Sequence, residues 1–332
     1  MEIEYIKVDN SINRNILKEI YNLNDVKSIY QHPDYIENNN LTSYLFILKE
    51  KNITKAYCFV SEFTLSKLKF IRHCKIKYGS IGKEEYTDKL NNEIINHYRK
   101  NNYSSIYYIP FENTIFEKIK KANHNLLVSS RETGTLIIDL RQDLENITKN
   151  YSTNLKRNLK KAEKLGLKIK ELNTKNEYND LNSIYNELFN HRKINLSNKN
   201  FTLDTIHFIQ QNNLGFTIGC FENETLIGGA VLLENNNRIE YFIGASNPAY
   251  RHLPILHAVF QQAIIQSKQN GYMYFDLGGI VFTKEDEQLN NITSFKYQFS
   301  KEIIRYNHDF ELILSNKRKW IHNIYLNLSK KN

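Results

Sequence analysis

The sequence predicts an α/β protein of two domains, each a mixed sheet with helices, and three observations carry this. The chain has 332 residues, beyond the roughly 250 to 300 at which a single hydrophobic core stops growing. In both halves, short β-branched and aromatic runs alternate with stretches of helical periodicity. Residues 238–280 then pass through strand, turn, helix and strand in quick order. The second strand ends in Gly278-Gly279, where backbone can approach a ligand closely.

Ile12, Ile16 and Ile20 recur at four-residue spacing and predict a short helix over 11–21. Runs at 43–48, 55–63, 68–73 and 75–79 are separated by turn residues and predict an antiparallel meander. A helix over 84–100, a strand over 104–109, a helix over 114–122 and a strand over 134–140 complete a first domain, 1–145. The second, 146–314, follows a basic helix over 144–165 closed by Gly166, at the position that favours a left-handed cap. A strand over 167–172, helices over 176–192 and 203–212, and strands over 215–221, 225–233 and 238–245 come next. The last two join through the polar turn 234–237. A helix over 254–269 starts at Pro254, where a missing N–H costs nothing. Gly271 ends it before a strand over 272–277. In the tail, 315–332, Trp320, Ile321, Ile324, Tyr325 and Leu328 share one helical face that must pack on something.

Hydrophobic residues make up 41% and aromatics 12%, a globular composition that argues against disorder. A net charge of +9 suits a polyanionic partner, and equally suits a Lys-rich coding bias. Cys58, Cys74 and Cys220 are odd in number and far apart, so they offer neither a disulfide framework nor a paired-cysteine metal site. The N-terminus has no basic start followed by an apolar core, and no stretch reaches 18 apolar residues. A cytoplasmic protein without an integral membrane segment is the expectation. Ten histidines form no pattern with metal-ligand spacing, so the expected metal set is empty. There is no G-x-S-x-G elbow and no phosphate-binding P-loop.

Candidate chemistry concentrates in 241–299. Asp276, in Tyr274-Phe-Asp-Leu-Gly-Gly-Ile280, is placed to orient an attacking amine or take its proton, or simply to cap a turn. Gly278-Gly279 reads as steric clearance. Phe295-Lys296 combines a stacking face with a compact cation, and also fits plain strand alternation. Lys156, Arg157, Lys160, Lys161 and Lys164 form a cationic strip that fits a phosphate-bearing partner or a solvated helix face.

Tyr241–Phe299, with its Asp-Leu-Gly-Gly and Phe-Lys segments, closely resembles the C-terminal half of the Fem family of aminoacyltransferases, whose domains have the GNAT N-acyltransferase fold. The resemblance extends over 151–309, and loosely to the first half through Ile29-Tyr-Gln-His-Pro-Asp-Tyr35. It implies two GNAT-like domains with the active site in an interdomain cleft, and a C-terminal helix returning to the first domain. It also implies a reaction: transfer of an aminoacyl group from aminoacyl-tRNA to an amine of a nucleotide-linked or lipid-linked cell-envelope precursor. No cofactor is held permanently, and the co-substrate is aminoacyl-tRNA or acyl-CoA. By the same resemblance, Asp276 and Lys296 are catalytic; Ser246, Arg251, Phe295 and Lys296 bind the donor; and Tyr250, Tyr274, Gly278 and Gly279 line the acceptor cleft. CoA-using GNAT proteins carry glycines where this chain reads Arg251-His-Leu-Pro254, and Pro254 removes an amide donor. Three family features are absent: an Arg and Tyr four apart beyond Ile194, a Lys soon after Tyr35, and a coiled-coil arm. Two other readings stay open. One is acyl-CoA-dependent acylation of an amino sugar or surface-polysaccharide precursor. The other is a non-catalytic module for nucleic acid or glycan.

Overall fold

The computed structural model describes all residues except 9–12, 25–28, 36–41, 66–67, 110–116, 120, 122, 124–126, 197, 236, 281, 283–286 and 330–332. The chain forms two compact units, Met1–Thr133 with Tyr306–Asn332, and Gly134–Arg305. The sequence reading sets these divides at 145/146 and 314/315.

The first unit contains β1 (Glu2–Lys7), α1 (Arg14–Asn22), β2 (Thr42–Glu50), β3 (Ile53–Leu65), β4 (Leu68–Lys77), β5 (Ile81–Gly82), α2 (Glu84–Lys100) and β6 (Ser105–Ile109). The first divide falls in β7 (Leu127–Asp139). The second unit then runs through α3 (Leu144–Lys149), α4 (Thr153–Lys164), β8 (Lys168–Glu171), α5 (Lys175–His191), α6 (Phe201–Asn212), β9 (Gly215–Glu222), β10 (Thr225–Asn235), β11 (Arg238–Ser246), α7 (Ile255–Gln269), β12 (Tyr274–Ile280) and α8 (Glu287–Lys296). β13 (Glu302–Ile313) holds the second divide, and α9 (Asn316–Ser329) ends the chain. No described helix is long and apolar enough to cross a membrane.

The first unit orders its strands β1-β2-β3-β4-β6-β13, with β5 on β3. β1 to β4 pair antiparallel, while β4 and β6 run parallel. The runs expected at 68–73 and 75–79 are one strand, because Cys74 between them is buried and pairs with Glu62 in the ladder. Gln31 is 0% exposed; its side chain donates to the carbonyls of Phe59 (3.1 Å) and Lys77 (2.9 Å) and accepts from the Phe59 N–H (2.7 Å). It thereby ties β3 to β4 beyond their last ladder pair, Ser61 with Lys75. The helix expected over 114–122 lies largely outside the described residues.

As the resemblance implies, the closing helix returns to the first unit, and two residues of its expected apolar face are left exposed. Trp320 is 65% exposed and Ile324 is exposed. His322, only 5% exposed, packs against the buried His73 ring at 4.8 Å, and Lys319 pairs with Glu311 at 2.5 Å. The side chains of Tyr325 and Leu328 are outside the description.

In the second unit the strand order is β7-β12-β11-β10-β9-β8. Its core joins Leu136 and Ile138 of β7, Ile218 of β9, Leu232 of β10, Ile239 of β11, Phe275 and Leu277 of β12, and Val259, Phe260 and Ile264 of α7. The single helix expected over 144–165 is two. The Ser152 hydroxyl accepts from the Leu155 N–H (3.1 Å) and starts α4, while the neighbouring Tyr151 is buried against Phe299. Thr174 and Glu177 form a reciprocal capping box that starts α5. Phe260 stands at the centre of the packing, with Tyr241, Phe275, Phe295 and Phe299 rings between 4.4 and 6.3 Å away. Phe260→Ala should lower the unfolding free energy by about 3 to 5 kcal/mol, read by denaturant titration.

Candidate functional site: a parting of two parallel strands

β11 and β12 pair through only three rungs: Arg238 with Tyr274, Ile239 with Phe275, and Glu240 with Asp276. β11 continues to Ser246 and β12 to Ile280, yet among the described residues their ladder ends there. Two bulges accompany the parting. On β11 the register against β10 shifts so that Phe242 is the extra residue. On β12 the register against β7 shifts between Asp276 and Gly279. A bulge bends a strand and increases its twist, and here both strands bend directly after their last shared rung.

The bend in β12 uses Gly278 at φ +78, a left-handed conformation in which a side chain is strained. Space is tight for a side chain as well. A Cβ there would lie 3.1 Å from the Tyr241 carbonyl oxygen and 3.2 Å from the Lys296 amine. The Asp276 carboxylate, 3% exposed, holds the bend. Its Oδ1 accepts from the Gly278 N–H at 2.8 Å and from the Thr135 hydroxyl, and its Oδ2 pairs with Arg238 at 3.1 Å.

Lys296, the last residue of α8, projects into the parting. Its Nζ donates to the Gly279 carbonyl at 2.7 Å and lies 5.9 Å from the Tyr241 ring centroid. The residue is 5% exposed. Burial pulls its amine down to about 8, against the opposing attraction of Asp276 and Glu240. Glu240 is half-buried on the last rung, and its carboxyl is pushed above the usual range by burial and by Asp276, with Arg238 and Lys296 opposing.

β11 keeps its other edge on β10 as far as Ser246, opposite Gly228. The Asn247 N–H donates to the Ile227 carbonyl on that side at 2.9 Å. Strand alternation therefore turns the N–H groups of Gly244 and Ser246 toward the edge that β12 has left. The Tyr241 ring occupies the room a side chain at Gly244 would need.

The structure thus gathers Asp276, Gly278, Gly279 and Lys296 at one point and places Ser246 at the far end of the same strand edge. Phe295 and Lys296 end a helix rather than belonging to a strand. The Phe295 ring is taken up by Phe260 (5.2 Å), Phe299 (5.4 Å) and His257 (4.9 Å). Arg251 is exposed, with its guanidinium 3.1 Å from His191 Nδ1. Tyr250 packs half-buried against the core from the turn before α7. Tyr274 stands apart from this group: it opens β12 at the closed end of the ladder, with the Arg141 guanidinium 5.0 Å from its ring. Glu240 was missed by sequence reasoning. The signal available was an Arg and a Glu two apart on one face of an otherwise largely apolar strand, Arg238-Ile-Glu-Tyr241.

Residues 209–325 match the model of the FemAB family. Among curated proteins, none matches the sequence. The fold is similar to the crystal structure of FemX, with TM-score 0.70, 10% identity, and coverage of 98% of this chain and 99% of that one. It is similar to L-PGS from Bacillus licheniformis (TM-score 0.63, 11% identity, coverage 96% and 97%). It also resembles a tandem GNAT protein from the clavulanic acid biosynthesis pathway (TM-score 0.52, 7% identity, coverage 95% and 99%).

Two expected outcomes follow from the geometry. Gly278→Ala should displace Lys296 and cost about 1 to 3 kcal/mol in stability, measured by thermal unfolding. Between pH 8 and about 10.4 the unfolded Lys296 amine holds more proton than the folded one, so stability rises with pH across that window. In Lys296→Met this rise, on the order of 3 kcal/mol, should be absent from the pH dependence of the unfolding free energy. The chain is thus FemAB-like over residues 209–325, and its fold is that shared by FemX and a tandem GNAT protein.

Proposed function

We propose that the protein transfers an aminoacyl group from aminoacyl-tRNA to an amine of a cell-envelope precursor, nucleotide-linked or lipid-linked, in the cytoplasm. The observation that carries this reading is the parting of β11 from β12 with the Lys296 ammonium inside it. An acyl carbonyl entering that gap meets the edge N–H groups of Gly244 and Ser246, and donors aimed at a developing oxyanion are worth roughly 2.7 to 4 kcal/mol each. The Lys296 charge adds to that field and is strengthened by its dry surroundings.

Glu240 is the proton acceptor in this reading, because it combines a raised pKa, partial access and a place on the last rung. The neutral amine attacks the acyl carbon and a C–N bond forms. The ester C–O bond to the ribose breaks, and the proton lost by the amine passes through Glu240 to the leaving hydroxyl. Asp276, already engaged by three donors, is assigned to positioning. Arg251 and Phe295 are assigned to the donor side, Arg251 as an exposed cation ahead of α7 and Phe295 as support for Lys296. Tyr250 and Gly279 stay assigned to the acceptor side.

The first unit supports placing the chemistry in the second. Its equivalent parallel pair, β4 with β6, stays closed through five rungs, from His73 with Ser105 to Lys77 with Ile109. Pro254 caps α7 without an N–H to give, which favours a donor other than acyl-CoA.

The test is incubation of purified protein with labelled aminoacyl-tRNA or labelled acyl-CoA and a mixture of envelope precursors. Label should pass to an amine from the tRNA ester; transfer from CoA alone would refute the donor assignment. Lys296→Ala should lower kcat by about 100-fold to 1000-fold. Glu240→Gln should remove the acidic limb of the pH–rate profile, where a general base becomes protonated and inactive, and an unaltered profile would reassign the proton acceptor.

A further inference from the structure

We propose that His73 and His322 form a proton-operated latch, which holds α9 on the first unit at neutral pH and releases it on acidification. The two rings meet across the contact between β4 and α9, with centroids 4.8 Å apart. His73 is 0% exposed and His322 is 5% exposed. The Ser105 hydroxyl, on the neighbouring strand β6, lies 2.8 Å from His73 Nδ1. The other ring nitrogen of His73, Nε2, and the Nδ1 of His322 are buried without a hydrogen-bond partner. Native interiors leave few polar atoms in that state, and those that persist often serve a change of state.

The surroundings fit neutral rings and oppose charged ones. Phe63 of β3 and Tyr107 of β6 lie against His73 at 5.4 and 5.7 Å. Among the described residues, the charges that act on both rings are Glu311 of β13 and Lys319 of α9 itself. Those two pair with each other at 2.5 Å, and Lys319 also stands 6.0 Å from the Tyr107 ring. The cluster is therefore balanced only while both imidazoles are uncharged. Glu311 can compensate one imidazolium by giving up Lys319, and a second proton then sets two like charges on adjacent rings with little water to screen them. Burial is the main force on His73 and pulls it down to about 4; His322 and Lys319 push the same way, and Glu311 opposes them. Burial also lowers His322, with Lys319 adding to it and Glu311 opposing.

A base whose pKa is depressed in the closed state takes up protons on opening. The closed state therefore keeps its full stability above the free imidazole value of about 6.5 and loses it as pH falls from there toward 4. For His73 alone, the open fraction should rise about 20-fold between pH 7 and pH 5, and His322 adds to this. Detaching α9 is enough to free both rings. Cys74, the next residue on β4, points to the opposite face and joins the core that Leu90, Ile94 and Tyr98 of α2 complete, so that core stays packed when α9 leaves.

The test is amide hydrogen exchange of the whole protein at pH 7 and pH 5, read by mass spectrometry and corrected for the intrinsic pH dependence of exchange. Opening of α9, Asn316–Ser329, should rise by about 20-fold or more on acidification, while α2, Glu84–Lys100, stays protected. His322→Phe keeps a ring in the contact but takes up no proton, and should diminish the rise. The double variant His73→Asn, His322→Phe should abolish it. Equal opening of wild-type α9 at both pH values would overturn the latch, and so would α2 and α9 opening in step, which is global unfolding rather than release. Where the double variant fails to fold, the single one decides: a rise in His322→Phe as large as in the wild type would also overturn the inference.

Discussion

Parting two parallel strands inside a packed unit deprives backbone N–H and C=O groups of their ladder partners, and buried groups left that way cost free energy. Asp276 meets much of that cost at the point where β11 and β12 separate. One of its oxygens satisfies the Gly278 N–H in a left-handed bend, and the other anchors Arg238 on the neighbouring strand. The Lys296 amine answers the carbonyl of the next residue, Gly279. The parting is thus a built feature, held by one carboxylate and one amine.

The same groups set the electrostatics. Arg238, Glu240, Asp276 and Lys296 place two cations and two carboxylates within one poorly solvated volume, where each charge survives only because others balance it. Two members are moved toward neutrality by burial, Lys296 downward and Glu240 upward. Groups shifted in opposite directions in this way each change protonation state at more modest cost than the members of a fully charged ion pair would.

The two units show how one strand order can hold its parallel pair closed or parted. In the first, β4 and β6 remain zipped, and Gln31 closes the neighbouring gap between β3 and β4 with three side-chain hydrogen bonds. In the second, bulges at Phe242 and beside Gly278 open the corresponding pair. A one-residue insertion in each strand is enough, since it shifts register on one edge while the other edge stays paired.

Local pattern determined most of the elements. The apolar period along α7, the alternation in β9 to β11 and the Gly-Gly pair in β12 are short-range signals, and they located the segment in which the two strands part. Other features depended on partners distant in sequence. Cys74 continues a strand because Glu62 lies opposite, Ser152 breaks a helix where Tyr151 meets Phe299, and Phe295-Lys296 end a helix. Asp276 acts through Thr135, 141 positions away in the chain, and Gly278. The sequence by itself determined which residues could carry charge near Gly278. Only the tertiary structure decided that Glu240 joins them, that Tyr274 does not, and that Lys296 is buried, because burial and charge proximity arise from contacts between strands and helices that no local pattern records.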